Sequence, residues 1–139
     1  MKKSISILLV ILSLVLLFAG CNKGPVYDDA TARYDKDTAL GTGNKTITVT
    51  VKENDNKQVV FTIKTDAKTV GDALLENKLI AGDEGAYGLY VKVVNGLRAD
   101  YDKDQVFWAF YIGGKSSMSG VDMTDIVDGE KYTLAYEKG

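Results

Sequence analysis

Short stretches of alternating apolar and polar residues recur along the chain, and this is the pattern of half-buried β-strands. Residues 45–51 place three apolar β-branched side chains between threonines, and residues 58–64 repeat the alternation after the polar stretch 53–57. Since β-branched and aromatic side chains favour strands, the two stretches predict an antiparallel hairpin. We expect this hairpin to open a folded domain that spans residues 45–139.

One amphipathic helix is predicted directly after the hairpin, from Thr69 to about Lys78. Its apolar residues fall at helical spacing, and Thr69 followed by Asp72 has the form of an N-terminal cap. A helix of about ten residues is not stable alone in water. We therefore expect its apolar face to pack across the sheet and to form core.

Three or four further strands follow the helix. Residues 89–94 alternate and end at Asn95–Gly96, a strong signal for a tight turn. The stretch 105–112 is apolar on both faces, so that either protein covers both faces or a ligand covers one. Residues 132–137 alternate again. The order predicts an α+β fold of the β-grasp type, in which a mixed sheet packs on one helix.

Composition removes several functional classes. The chain has 139 residues, of which 45% are hydrophobic and 26% charged, and it contains no histidine. Without imidazole it lacks the usual general base near neutral pH, so hydrolase triads are excluded and we predict that the protein is not an enzyme. The balance of 17 basic and 19 acidic residues, without a basic block, argues against a nucleic-acid partner.

The first 21 residues have the order of a lipoprotein signal peptide. Lys2 and Lys3 precede an apolar run, and Ala19–Gly20–Cys21 ends it at the chain's single cysteine. Leu17–Phe18–Ala19–Gly20–Cys21 resembles the bacterial lipobox, in which the cysteine is acylated. The apolar run is shorter than the ~20 residues of a membrane span, which disfavours an uncleaved anchor. We predict a signal peptide over residues 1–20 and attachment to the outer side of a membrane through acylated Cys21.

A flexible linker is predicted between the acylated cysteine and the domain, over residues 21–44. This stretch contains the single proline, many small and polar residues and no apolar period. As a flexible coil it would span about 25 to 30 Å. We therefore expect the domain to stand away from the membrane surface.

Several pieces of the chain carry a family resemblance. The pieces TVGDALLENKLI, GLYVKVVNG, ADYDKDQVFWAFYIGGK, SGVD and DGEKYTL resemble, in this order, the domain that forms the C-terminal part of transcobalamin and intrinsic factor. That domain also recurs in bacterial surface lipoproteins. In the cobalamin carriers it closes over the corrinoid, beside a larger helical domain that holds most of the ligand. This chain is too short to build that helical domain, and it offers no histidine to cobalt.

The resemblance implies a set of candidate ligand-binding residues around the loop that precedes Gly120. They are Trp108, Phe110, Tyr111, Ser117, Met118, Ser119 and Gly120. A lone tryptophan in an apolar strand is more often core than binding platform, and both readings stay open for Trp108. A methionine among glycines and serines is less easily buried, so we expect Met118 to be partly exposed.

No metal site is predicted. Asp100, Asp102 and Asp104 alternate as in a calcium loop, but an EF-hand needs glycine at position six and glutamate at position twelve. This chain has Gln105 and Tyr111 there. An acidic surface loop is the simpler interpretation.

Two functions are favoured. The first is a membrane-anchored module that captures a corrinoid or another bulky small molecule for an uptake transporter, without a resident cofactor. The second is a module that binds another surface protein through the same face or through an open sheet edge. A concave pocket would favour the first function, and a flat apolar patch the second.

Overall fold

The computed structural model describes residues 25–139 and shows the predicted α+β fold. The strands in this range are β1 (Val26–Tyr27), β2 (Thr38–Leu40), β3 (Lys45–Asn54), β4 (Lys57–Thr65), β5 (Ile80–Gly85), β6 (Gly88–Val94), β7 (Leu97–Arg98), β8 (Val106–Ile112), β9 (Lys115–Ser116) and β10 (Lys131–Lys138). The helices are α1 (Val70–Glu76), α2 (Tyr101–Asp104) and a 3₁₀ turn (Val121–Met123). The predicted signal peptide and Cys21 lie outside the described residues.

The larger sheet has the mixed topology of a β-grasp domain. Its strands lie in the order β2-β4-β3-β10-β8-β9. The hairpin of β3 and β4 is confirmed, with Val49 opposite Phe61. The last strand, β10, lies in the middle of the sheet, parallel to β3 and antiparallel to β8. Strands β3 and β10, which are far apart in the sequence, therefore pair at the centre of the sheet.

The core lies between one face of this sheet and helix α1. Its largest fully buried side chains include Tyr132, Phe61, Ile47, Ile63, Leu74 and Leu134. The predicted helix is confirmed, and Thr69 caps it by accepting a hydrogen bond from the Asp72 N–H at 3.1 Å. At Gly71 an added Cβ would lie 2.9 Å from the Cα of Asp122. The helix can therefore lie directly against the 3₁₀ turn.

A second, smaller sheet lies beside the first, with strands in the order β1-β7-β6-β5. The turn predicted at Asn95–Gly96 is confirmed, and it joins β6 to β7 with positive φ at both residues, 47° and 81°. The hairpin of β5 and β6 turns at Ala86 and Tyr87, since Gly85 pairs with Gly88. The hairpin tip lies against Asp122, which begins the candidate site.

Residues 25–44 pack on the domain, which corrects the prediction of a flexible linker from Pro25 onward. We call residues 25–44 the N-terminal strap. Its first strand, β1, pairs antiparallel with β7, and its second, β2, pairs parallel with β4 at the edge of the larger sheet. The strap packs Tyr34 and Leu40 on the core, and its remaining contacts include main-chain hydrogen bonds and ion pairs, which leave no period in the sequence.

Asn95 holds the middle of the strap. Its side chain is fully buried and exchanges two hydrogen bonds with the backbone of Tyr34, at 2.7 and 2.9 Å. Arg33 adds a bond to the Asn95 carbonyl and an ion pair to nearly buried Glu53, each at 3.1 Å. A buried amide and a buried carboxylate are thus satisfied by the strap, and they would lose partners without it.

Candidate binding surface

The candidate ligand-binding residues lie in three different environments. Side chains alternate along a strand, so Trp108 and Phe110 face the core while Tyr111 lies on the opposite face of the larger sheet. Ser117, Met118, Ser119 and Gly120 form a loop after β9, in which Met118 and Ser119 are exposed and the other two are half-buried. A single small ligand cannot contact all seven residues. The loop is the part of the predicted set that can meet a ligand from solvent.

Trp108 is a core residue. Its side chain is 7% exposed, and its indole N–H donates to the carbonyl of Leu97 at 3.1 Å. The ring also packs edge-on against Tyr136, with centroids 5.4 Å apart. Of the two interpretations left open by the sequence, the structure therefore favours the core.

Phe110 and Tyr111 support the start of the loop from the sheet. The Phe110 ring stacks on buried Tyr132, and its carbonyl accepts a hydrogen bond from the Ser117 N–H at 2.9 Å. On the other face the Tyr111 hydroxyl donates to Glu137, and this hydrogen bond raises the pKa of Tyr111 above its ordinary value. Neither ring is presented by the loop itself.

The loop holds Met118 outward. The Ser117 hydroxyl donates to the Ser119 carbonyl at 2.9 Å and accepts from the Ser119 N–H at 3.1 Å, which closes a tight turn around Met118. Gly120 continues into the 3₁₀ turn, where its carbonyl accepts from the Met123 N–H and the Thr124 hydroxyl. Met118 is fully exposed, whereas the sequence predicted partial exposure.

Asp122 connects this loop to the tip of the β5–β6 hairpin. One carboxylate oxygen accepts the Leu89 N–H at 2.9 Å, while the other is buried without a hydrogen-bond partner among the described residues. Gly88 is required at the contact, since a Cβ there would lie 2.5 Å from the bonded oxygen. The carboxylate also lies against Gly120, where a Cβ would be 3.1 Å from the free oxygen.

These contacts join the chain segments that carry three large exposed side chains, and we call this region the apical surface: Tyr87, Met118 and Met123. Tyr87 is 96% exposed beside Gly88, and Met123 is 68% exposed beside Asp122. Leu75, one turn after Gly71 on the helix, is also exposed. The predicted set of site residues did not include Tyr87, Met123 or Asp122. The signal for Tyr87 was its position in the segment Gly85–Gly88, where an aromatic side chain at a hairpin tip has little room for burial.

Met118 and Tyr87 are exposed outside four surface cavities in the described part of the chain. These four have volumes of about 320 to 890 Å³, and none of them is lined by Met118 or Tyr87. The largest of the four lies at the Val106 end of β8, beside Pro25. A ligand at the apical surface would therefore meet it with one face only.

The acidic stretch at Asp100 has a structural role. Asp100 caps the short helix α2 by accepting the Lys103 N–H at 3.2 Å, and the other acids point to solvent. Among residues 25–139, no group of three histidine, cysteine, aspartate or glutamate side chains is arranged to hold a metal ion. In the same range no helix has the length and apolar character of a membrane span.

Comparison with solved structures gives two informative similarities. The crystal structure of a "putative metal binding protein" from Ruminococcus gnavus ATCC 29149 is 36% identical, with a TM-score of 0.66 over 69% of this chain and 99% of that chain. Haptocorrin in complex with Cbi (cobinamide) is 20% identical, with a TM-score of 0.52 over 68% of this chain and 25% of that chain. The likeness to haptocorrin is one of fold.

A comparison with curated proteins finds no match. Residues 67–138, which run from just before α1 to the end of β10, match a family model described as a domain of unknown function. This range is about half of the chain and contains α1, the apical surface and the central strand β10. The chain therefore belongs to the DUF4430 family.

Proposed function

We propose that the protein is a membrane-anchored, extracytoplasmic binding module whose apical surface covers one face of a bulky, flat ligand. The observation that carries the proposal is the full exposure of Met118, on a loop that Asp122 joins to the hairpin tip with the exposed Tyr87. Large apolar side chains held out of the core expose surface to water, and a ligand that covers them gains the hydrophobic stabilisation.

The chemistry of these side chains suits a flat ligand. Burying one such apolar side chain fully contributes about 1.5–3 kcal/mol, so two methionines and a tyrosine supply roughly 4.5–9 kcal/mol before the cost of association, which favours weak binding by this domain alone. Methionine adapts its shape to the surface that it meets, and tyrosine stacks on flat ring systems.

A corrinoid is the ligand class that we propose to test first. It is bulky and flat, and amide groups at its edge supply donors. The haptocorrin neighbour, which shares the fold, was solved with cobinamide. Since none of the four surface cavities is lined by Met118 or Tyr87, we propose that a second protein, such as a transporter, covers the other face of the ligand. Acylation of Cys21 would hold the module on the membrane. The proposal is for binding and not for catalysis.

A second candidate function is the binding of another surface protein. The observation that favours it is the exposure of Tyr87, Met118 and Met123, because exposed apolar side chains are as suited to a protein partner as to a small molecule. The two candidates share the same side chains and differ in the size of the contact.

The ligand proposal is tested by isothermal titration of cobinamide into residues 25–139. The similarity to the Ruminococcus gnavus structure spans 69% of this chain and 99% of that chain, so a chain of about the size of this domain has been crystallised. We expect saturable heat with one site per chain and a Kd in the range of about 0.1 to 1 mM, consistent with one-sided contact. Heats no larger than those of injecting cobinamide into buffer would contradict corrinoid binding and leave the protein partner as the favoured candidate.

A further inference from the structure

The strap places the membrane close to the domain, and this inference rests on the lipid anchor proposed above. β1 begins at Val26, which pairs with Arg98. Only residues 22–24 separate Cys21 from Pro25, and a fully extended chain over these four steps reaches about 14 Å. That reach is shorter than strand β8, whose seven residues span roughly 20 Å. The domain therefore cannot stand away from the membrane on a long linker.

The end of the domain nearest Pro25 carries a large groove, which we call the basal groove. Its volume is about 890 Å³, and its lining includes Pro25, Val26, Tyr27, Val106 and Tyr136. Val26 and Tyr27 are each about half exposed. An aromatic ring with one polar end beside an exposed valine is the side-chain chemistry that favours a membrane–water interface.

Lysines surround the basal groove. Lys57, Lys103 and Lys138 line it, together with the acids Glu53 and Asp104. Glu53 is nearly buried and is paired with both Arg33 and Lys57, at 3.1 and 3.3 Å. Lys103 and Lys138 form no salt bridge with other described residues, and Asp104 is the exposed acid on the rim. The rim is therefore net positive, as contact with anionic headgroups requires.

We infer that the basal groove rests on the anionic phospholipid headgroups of the membrane that holds Cys21, so that the far end of strand β8 points away from the membrane. Strand β8 runs from Val106 at the groove to Ile112, which pairs with Lys115 of β9. The chain then returns along β8, since the Ser117 N–H donates to the Phe110 carbonyl, and the Met118 loop lies beside the middle of the strand, roughly 10 Å from its groove end. In this orientation the Met118 loop stands clear of the headgroups.

The orientation is tested by energy transfer from single labelled positions to the membrane. Cys21 is the chain's single cysteine, so a second cysteine can be labelled alone once Cys21 is acylated. The full-length lipoprotein carries Asn54→Cys, at the groove, or Lys115→Cys, at the far end of β8, with a donor dye, in vesicles of phosphatidylcholine and phosphatidylglycerol that contain acceptor-labelled headgroups. We expect transfer from position 54 to be at least about twofold higher than from position 115, because roughly 20 Å of strand separates the two ends.

Charge variants identify what holds the orientation. Lys103→Glu with Lys138→Glu should reduce the difference in transfer between the two ends, whereas Lys131→Glu, at the far end beside the Tyr132–Ile112 pair, should leave it unchanged. Equal transfer from positions 54 and 115 on vesicles that retain the protein would overturn the docking and leave the anchor intact. If the wild-type chain fails to float with the vesicles and behaves as Cys21→Ser does, the anchor is overturned, and the docking with it.

Discussion

A chain that begins at Lys45 is expected to unfold at much lower urea concentration than one that begins at Pro25, with a loss of about 3 kcal/mol or more in the free energy of unfolding. Truncation removes β1 and β2 and leaves the buried Asn95 amide without its two bonds to Tyr34. Each buried polar group left without a partner costs about 1–3 kcal/mol. Phe61 also loses the edge-on contact with the Tyr34 ring.

The control for this truncation separates the Asn95 hydrogen bonds from the rest of the strap. Asn95→Gly keeps the positive φ of 47° and removes only the side chain, so it should lose about half as much stability as the truncation. Urea denaturation of residues 25–139, of residues 45–139 and of the Asn95→Gly variant gives the comparison. Equal urea midpoints for residues 25–139 and residues 45–139 would show that residues 25–44 contribute nothing to the stability of the fold and act as a tether.

Met118→Asp is expected to weaken cobinamide binding at least tenfold, which is about 1.4 kcal/mol, while the melting temperature stays unchanged. The side chain is fully exposed, so the folded chain loses no packing. A carboxylate at the same place must be desolvated when the ligand covers it, and this penalty adds to the lost apolar contact. Calorimetry gives the affinity, and thermal denaturation gives the stability.

Val26→Asp is the matched control for Met118→Asp. It introduces the same charge at another exposed apolar side chain, 52% exposed, at the basal end of the domain. In solution it should leave cobinamide affinity unchanged. Unchanged affinity for Met118→Asp, or an equal loss for Val26→Asp, would contradict the placement of the ligand at the apical surface.

The fold was predictable where packing leaves a period in the sequence. The alternation in β3 and β4 and the cap at Thr69 report burial within a few neighbouring residues, and both were confirmed. The strap was not predictable in this way, because its pairing uses main-chain groups that every sequence possesses. Asn95 was recognised as a turn residue from Asn95–Gly96, but its side-chain bonds to Tyr34 join positions 61 residues apart.

Only the part of the apical surface that local sequence describes, the Met118 loop, could be predicted. Glycine and serine neighbours indicated that Met118 is exposed, and the family resemblance indicated its loop. Tyr87 and Met123 join that surface through Asp122, whose contacts with Gly88 and Gly71 bring distant segments together. The environment of Trp108 could not be predicted, because the sequence of a strand that is apolar on both faces does not show which face is covered by protein. The structure covers Trp108 with Leu97 and Tyr136.

The methionine methyl spectrum tests the central claim most directly. Residues 25–139 contain two methionines, Met118 and Met123, and both lie on the apical surface, while the Trp108 indole N–H is buried in the core. Titration of cobinamide into chain labelled at methionine methyl and tryptophan indole positions should move both methyl signals along saturable curves and leave the indole signal in place. Static methyl signals, or an indole signal that moves while the methyl signals do not, would contradict an apical binding surface.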